Sequence, residues 1–222
     1  MSVPPDEPGQ RPLPPDLGRL LHDLRGPLNS LTMHLEVLKR TVRDDPVAED
    51  SLRIVLQQLG RLSAMLPASF DVAALELGRL QPVDLGAVAT AVQKDASGPI
   101  TLAEGHWPVV QGDEVLLRAA LSHLVSNALE ATAAAGSPRP PLVSASLDGD
   151  EAQLTVRDWG GGVPTTDPRL LIRLLRSTKP GHAGLGLVTV ERVVRLHGGT
   201  LRFACPGEGT RVTLALPGAR RP

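Results

Sequence analysis

Two leucine-rich segments near the start of the chain repeat with the spacing of a packed helix. In the first, apolar residues recur at alternating steps of four and three: Leu17, Leu21, Leu24, Leu28, Leu31, Leu35, Leu38 and Val42. This heptad spacing forms one narrow apolar stripe that a partner helix can cover. The stripe is broken by Asp44, Asp45 and Pro46. A second series follows: Leu52, Leu56, Leu59 and Leu66. The spacing therefore predicts two antiparallel helices joined by a short turn.

Prolines mark the boundaries of this hairpin. Six of the first fifteen residues are Pro, so we expect residues 1–15 to form an extended, flexible tail. Pro67 is expected to bend or interrupt the second helix, whose stripe also contains the polar Ser63. A lone hairpin exposes too much apolar surface, and pairing with a second copy into a four-helix bundle would cover it. We therefore assign residues 16–80 to a dimerisation domain and expect a homodimer.

Beyond residue 80 the pattern becomes mixed, as it does where helices pack on a sheet. Helices are predicted from near Asp84, from about Asp113 to Ala135 and from about Leu185 to His197. Strands are predicted near residues 100–102, 142–147, 152–157, 200–204 and 211–216. This alternation indicates an α+β domain over residues 81–222.

Composition narrows the functional classes. Lys and Arg total 23 against 24 for Asp and Glu, and the arginines form no run, so we expect neither nucleic acid nor membrane as a partner. The single cysteine, Cys205, excludes a disulfide framework and fits a reducing compartment. No apolar run reaches the roughly 18 residues of a membrane span, and the N-terminus has no signal-peptide character. A cytoplasmic protein is the expectation.

The first chemical candidate is a histidine beside the apolar stripe. His22 lies one position past Leu21, which predicts an imidazole exposed on the flank of the hairpin. Asp23 can hold one ring nitrogen and leave the other as a nucleophile. Pro27 cannot donate the helical hydrogen bond to the carbonyl of Asp23, so the backbone beside the histidine is loosened. An isolated His-Asp pair is most simply an ordinary surface histidine. The rest of the chain decides between that interpretation and a nucleophilic histidine.

Three further segments contain residue types that bind nucleotides. His123 and Asn127 share one face of a predicted helix. Asp158 opens an Asp-Trp-Gly-Gly-Gly sequence after an apolar strand, where a carboxylate can accept from an exocyclic amine and glycines admit a flat ring. Residues 177–186 form a glycine-rich turn that opens a helix, an anion site to which Lys179 adds positive charge. A glycine cluster alone usually makes only a turn, so it is weak evidence for a nucleotide site. The order and spacing of the three segments are the stronger evidence.

Together these segments resemble the two-component sensor histidine kinases. The stretch from His22 to Asn29 is similar to the family's phosphoacceptor box, and the stretch from His123 to Ala131 to its N-box. Asp158 to Gly162 and Gly184 to Gly186 resemble its two glycine boxes, and Gly207 to Pro217 its closing strands. The resemblance covers about residues 16–217. It implies a helical hairpin followed by an α/β sandwich ATP-binding domain of the GHKL (Bergerat) type.

The resemblance also implies a role for each matching residue. His22 would accept the γ-phosphoryl group of ATP, and Asp23 would act as its base. Asn127 would ligate a Mg²⁺ ion that bridges the ATP phosphates, and Asp158 would bind the adenine amino group. The remaining ATP-binding positions would be Gly160, Gly162, Lys179, Gly184, Leu185, Gly186 and Thr210.

The chain departs from its relatives at several positions. ATP hydrolases of this fold have a glutamate four residues before the metal asparagine, where it acts as the base for water. This chain has His123 at that position, which favours transfer to a protein group over hydrolysis. Glu130 is a nearby carboxylate that leaves hydrolysis as the other possibility. The acid after the phosphoacceptor is usually Glu and is Asp23 here. The phenylalanines expected in the lid are replaced by aliphatic residues such as Ile172 and Leu175.

The combined prediction is a cytoplasmic homodimeric histidine kinase. It would phosphorylate its own His22 from ATP and pass the phosphoryl group to an aspartate of a response-regulator receiver domain. No sensor domain is visible in the sequence, so the input would come from a separate sensor protein, from the tail or from nothing at all. The alternative is a non-catalytic histidine phosphotransfer or adaptor protein that keeps the fold. Retention of Asn127, Asp158 and Lys179 argues against that alternative.

Overall fold

The computed structural model describes residues 15–41, 45–163, 166–167 and 185–218. These residues form two compact units. One unit holds a helical hairpin that ends at Ala74, and the other is an α/β unit that begins at Leu75. The predicted tail lies almost wholly outside the described residues. Among the helices of the described part of the chain, none has both the length and the apolar character needed to cross a bilayer.

The hairpin consists of α1 (Pro15–Thr41) and α2 (Pro46–Ala73), as predicted. Asp45 caps α2, because its side chain accepts the backbone N–H groups of Val47 and Ala48 at 3.0 and 3.2 Å. The expectation that Pro67 interrupts α2 was wrong, since the helix continues to Ala73. A proline removes one helical hydrogen bond, and the bonds on both sides keep the remaining turns in register.

Of the six stripe positions whose burial is described, from Leu21 to Leu38, only three are covered. Leu21 is buried, and Leu28 and Leu35 are half-buried. The leucines between them are exposed: Leu24, Leu31 and Leu38. On α2, Leu52 and Leu59 are buried. Within a single hairpin, one edge of the stripe (Leu21, Leu28 and Leu35) is packed, and the other edge (the exposed leucines) faces solvent.

The described residues of the α/β unit form a five-stranded sheet, a two-stranded sheet and three helices. Its elements in order are β1 (Gln81–Asp84), α3 (Leu85–Asp95), β2 (Thr101–Leu102), β3 (Val109–Gly112), α4 (Glu114–Ala134), β4 (Leu142–Asp148), β5 (Glu151–Arg157), α5 (Gly186–Leu196), β6 (Thr200–Ala204) and β7 (Arg211–Pro217). The larger sheet has the order β2-β4-β5-β7-β6, in which only the β2-β4 pair is parallel. The small sheet pairs β1 with β3 in antiparallel register.

The core of this unit lies between the large sheet and the helices. Alternate residues of β5 are buried, including Leu154 and Val156, while the residues between them are only half-buried. They pack in one cluster with Leu117 and Leu121 of α4 and Val190 of α5. Each fully buried Leu or Val contributes about 1.5–3 kcal/mol of transfer free energy, so leucine and valine suffice without many aromatic residues.

The start of α4 is tied to two neighbouring segments. Asp113 caps the helix through Oδ1, and its Oδ2 accepts the N–H of Gly78 at 2.9 Å. The N–H of Asp113 donates to Nε2 of His197 at 2.9 Å. A guanidinium nitrogen of Arg192 donates to the carbonyl of Leu75 at 3.2 Å. These bonds fix residues 75–80 onto the α/β unit.

Candidate functional site

Asp158 is a buried carboxylate at the end of β5, with 8% of its surface exposed. Its Oδ1 accepts the backbone N–H groups of Gly160 at 2.9 Å and Thr210 at 3.0 Å. Its own N–H donates to the carbonyl of Thr210 at 2.9 Å. Among the described residues no group donates to Oδ2. One oxygen is thus saturated and fixed, and the other remains available to an N–H donor of a ligand.

Glycines allow the segments around Asp158 to approach closely. A Cβ on Gly160 would lie 2.9 Å from the carbonyl oxygen of Ala131, so the turn after Asp158 rests directly on α4. Gly162 has a φ of +77°. Gly209 has a φ of +71°, and a Cβ there would overlap the carbonyl oxygen of Asp158. These glycines bring three segments together around one carboxylate.

His123 and Asn127 lie one helical turn apart on α4, and each residue keeps part of its surface in solvent. The start of α5 packs on the ring of His123, because a Cβ on Gly186 would lie 3.3 Å from Nδ1. Desolvation by this packing lowers the pKa of His123 below its ordinary value, since burial disfavours the protonated form. Ala131, the contact of Gly160, lies one turn after Asn127, so Asn127 and the Asp158 turn adjoin the same side of α4.

The structure therefore places most of the predicted nucleotide-binding residues of the α/β unit in two adjoining groups. Asp158, Gly160, Gly162 and Thr210 form the first group. Asn127 belongs to the second, with His123 and Gly186. Leu185 is half-buried and directly precedes α5. Lys179 and Gly184 lie outside the described residues, as do Ile172 and Leu175 of the predicted lid.

His22 is on α1, with 88% of its side-chain surface exposed, as expected from its position beside the stripe. Its Nδ1 lies 3.6 Å from Oδ1 of Asp23, whose side chain is 76% exposed. This separation is too long for a hydrogen bond, so the orienting bond expected from the sequence is not formed in this conformation. The imidazole is accessible to a reactant from solvent.

The contacts of Trp159 could not be predicted from the sequence. Its ring lies 4.3 Å from the guanidinium carbon of Arg139 and 4.1 Å from that of Arg157. Its indole N–H donates to the carbonyl of Pro140 at 2.8 Å, and its backbone N–H donates to Oγ1 of Thr132 at 3.2 Å. The one available signal was a tryptophan next to Asp158 in a chain that has only two.

Each of the two units matches the model of a known protein family. Residues 17–78 match the His Kinase A (phospho-acceptor) domain, and residues 112–220 match the histidine kinase-, DNA gyrase B- and HSP90-like ATPase domain. The sensor-like histidine kinase SenX3 of Mycobacterium tuberculosis (strain H37Rv) is 30% identical over 222 residues, which cover 88% of this chain and 52% of SenX3. The phosphate regulon sensor protein PhoR of Pseudomonas aeruginosa is 33% identical over 212 residues, 86% of this chain and 47% of PhoR.

One solved structure matches nearly the whole chain. Full-length ShkA in complex with AMPPNP matches with a TM-score of 0.59 and 25% identity over 94% of this chain and 46% of ShkA. A helical hairpin followed by a GHKL-type domain is thus confirmed. The chain belongs to the two-component sensor histidine kinase family. It spans about half the length of the relatives described here.

Proposed function

We propose that this protein is an ATP-dependent histidine kinase that phosphorylates its own His22 and passes the phosphoryl group to an aspartate of a response-regulator receiver domain. The observation that carries this proposal is the geometry of Asp158. A buried carboxylate with Oδ1 fixed by two backbone donors presents Oδ2 to a single ligand donor, which suits the amino group of adenine.

The nucleotide would be held along α4 and the glycine turns. Asp158 accepts from adenine, and Gly160, Gly162 and Thr210 shape the surface beside it. The exposed amide of Asn127 fits Mg²⁺, which usually takes one or two protein oxygens and completes its shell with phosphate and water oxygens. When bound, Mg²⁺ neutralises phosphate charge. We assign the phosphate contacts to Lys179, Gly184, Leu185 and Gly186, the last of which begins α5.

Phosphoryl transfer needs positioned reactants and neutralised phosphate charge more than it needs covalent machinery. Nδ1 of His22 is the ring nitrogen nearer to Asp23, so Nε2 would attack the γ-phosphorus. The new N–P bond forms as the bond from phosphorus to the β–γ bridging oxygen breaks and ADP leaves. Rotation of two exposed side chains would close the 3.6 Å gap and let Asp23 take the Nδ1 proton.

Transfer to a protein group is favoured over ATP hydrolysis. The position one turn before Asn127 is His123, which packs against Gly186 and has a lowered pKa. The lowered pKa makes this imidazole a poorer base for an attacking water than an ordinary histidine would be, and the position lacks the glutamate that acts as the base in ATP hydrolases of this fold. No observation favours the adaptor alternative, because both the nucleotide carboxylate and the exposed histidine are present.

A homodimer is part of the same proposal. The exposed residues Leu24, Leu31 and Leu38 recur every seven positions along α1, the spacing of a helix contact between copies. A second hairpin would cover them and form a four-helix bundle.

Autophosphorylation is tested with the purified chain, Mg²⁺ and ATP labelled at the γ-phosphate. The label should be acid-labile and base-stable, as a phosphohistidine is, and it should disappear in His22→Gln while ATP binding persists. The matched control is His34→Gln, which changes another exposed histidine of α1 and should keep the label. Label retained in His22→Gln would refute the assignment. Adding a receiver domain should then move the label to the receiver.

A further inference from the structure

We propose that Trp159 is a positioning residue for the nucleotide. Its indole ring fixes the turn around Asp158 by stacking with arginines from two neighbouring segments. The inference rests on the proposed function, in which Asp158 accepts the adenine amino group. It assigns a task to a side chain that has no direct part in that hydrogen bond.

The indole joins segments that are far apart in sequence. Arg157 ends β5, whereas Arg139 belongs to the loop between α4 and β4, and each guanidinium lies within 4.3 Å of the ring centre. The same loop accepts the indole N–H through the carbonyl of Pro140. Such cation–ring contacts are attractive because a guanidinium lies in the negative field of the aromatic face.

The stack connects to the donors that hold Asp158. Arg139 also pairs with Glu208, which lies on the turn between β6 and β7. Two residues later on that turn, the N–H of Thr210 donates to Oδ1 of Asp158. The other donor to Oδ1 is Gly160, the residue after Trp159. The ring is therefore linked to both donors that orient the carboxylate.

Arg157 depends on this ring. Its Nε is buried and has no hydrogen-bond partner among the described residues. The indole face is thus a favourable neighbour for a cation that is otherwise poorly satisfied on that side. Removing the ring would leave Arg157 to rearrange next to Asp158, the residue that follows it.

Trp159 has a different place from Trp107, the other tryptophan. Trp107 is packed against the hydrophobic core, and a Cβ on Gly86 would lie 3.0 Å from its ring. Both tryptophans are half-buried, but Trp159, unlike Trp107, is not among the residues packed against that core. The two residues form a matched pair in which Trp107 supports the fold and Trp159 supports the site.

The experiment measures Kd by calorimetry for Mg²⁺-ATP and Mg²⁺-inosine triphosphate, in which a carbonyl oxygen replaces the adenine amino group. The preference for ATP over inosine triphosphate reports the bond to Asp158. Trp159→Leu should reduce this preference about tenfold, the size expected for losing two cation–ring contacts and one hydrogen bond. Trp159→Phe, which keeps an aromatic face, should fall between wild type and Trp159→Leu.

Two controls separate the outcomes. Trp107→Leu should lower Tm and keep the nucleotide preference, whereas Asp158→Asn should abolish the preference. A wild-type preference in Trp159→Leu, with loss in Asp158→Asn, would overturn the role of Trp159 and leave the proposed site intact. Equal weakening of both nucleotides in Trp159→Leu would reduce Trp159 to a structural residue and overturn the inference. If Asp158→Asn also kept the preference, the adenine assignment itself would fail.

Discussion

At the residue scale, the geometry of Asp158 depends on neighbours that have no side chain. Gly209 adopts a left-handed conformation with the carbonyl oxygen of Asp158 in the space where a Cβ would be. Its neighbour Gly207 has a similar φ of +86° and nothing within 4 Å of its Cβ position. Glycine is therefore required at position 209 by both the backbone conformation and the close contact, and at position 207 by the backbone conformation alone.

This difference predicts unequal effects of adding a methyl group. Gly207→Ala should lower the free energy of unfolding by about 1–2 kcal/mol, the strain of a left-handed alanine, with ATP affinity unchanged. Gly209→Ala should destabilise the protein further and weaken ATP binding, because the added Cβ would push the carbonyl of Asp158 away and strain the hydrogen bond from the N–H of Thr210 to Oδ1 of Asp158. Urea titration and ATP calorimetry on both variants measure this. Equal ATP affinities in the two variants would contradict it.

The lowered pKa of His123 predicts a dependence of stability on pH. The unfolded chain titrates near 6.5, and the folded chain takes up this proton only at lower pH. The unfolded state therefore binds more protons between these two values, so stability is fully present above pH 6.5 and decreases as the pH falls through the folded pKa. When the pH is lowered from 7.5 to 5.5, Tm should decrease less in His123→Asn than in the wild type, because the variant has no imidazole to protonate. The exposed His106→Asn serves as control and should lose as much as wild type.

At the element scale, the sequence predicted every helix of the described residues and all five strands of the larger sheet, because most of these elements have a local apolar periodicity. It missed β1 and β3. Each has four residues, Pro82 lies within β1, and the pairing joins distant residues such as Val83 and Val110, which are 27 positions apart. At the site, motif order predicted Asp158 and Asn127, which the structure places beside the same helix, α4. The Arg139–Trp159 stack was not predictable, since no local pattern specifies a contact between two loops.

The cap of α4 predicts a graded loss of stability. Asp113→Asn keeps an oxygen for the helix N–H groups and puts an amide in place of the oxygen that accepts from Gly78, so it should cost about 1 kcal/mol. Asp113→Ala also removes the cap and should cost about 2 kcal/mol in total. Urea unfolding followed by tryptophan fluorescence gives both values. The order would be wrong if the alanine variant were as stable as the asparagine variant.

At the scale of the whole molecule, the two edges of the α1 stripe have separate tasks. Leu21, Leu28 and Leu35 are buried or half-buried in a single chain, so a charge at those positions would disturb the hairpin itself. Leu31 is 54% exposed, and a charge there would remain solvated in a monomer. Substitution of Leu31 therefore reports association with little effect on folding.

The corresponding prediction is that Leu31→Asp separates the dimer. Burying an unpaired carboxylate in a bundle contact costs several kcal/mol, which is enough to shift a micromolar dimer to monomer. The control is Met33→Asp, because Met33 is also exposed and lies two positions away, about 200° around the helix. Sedimentation equilibrium should give a dimer for wild type and Met33→Asp and a folded monomer for Leu31→Asp, with far-ultraviolet circular dichroism unchanged. A monomeric wild type would refute the dimer, whereas a dimeric Leu31→Asp would place the contact between copies elsewhere, because a buried carboxylate at position 31 should not be tolerated in that contact.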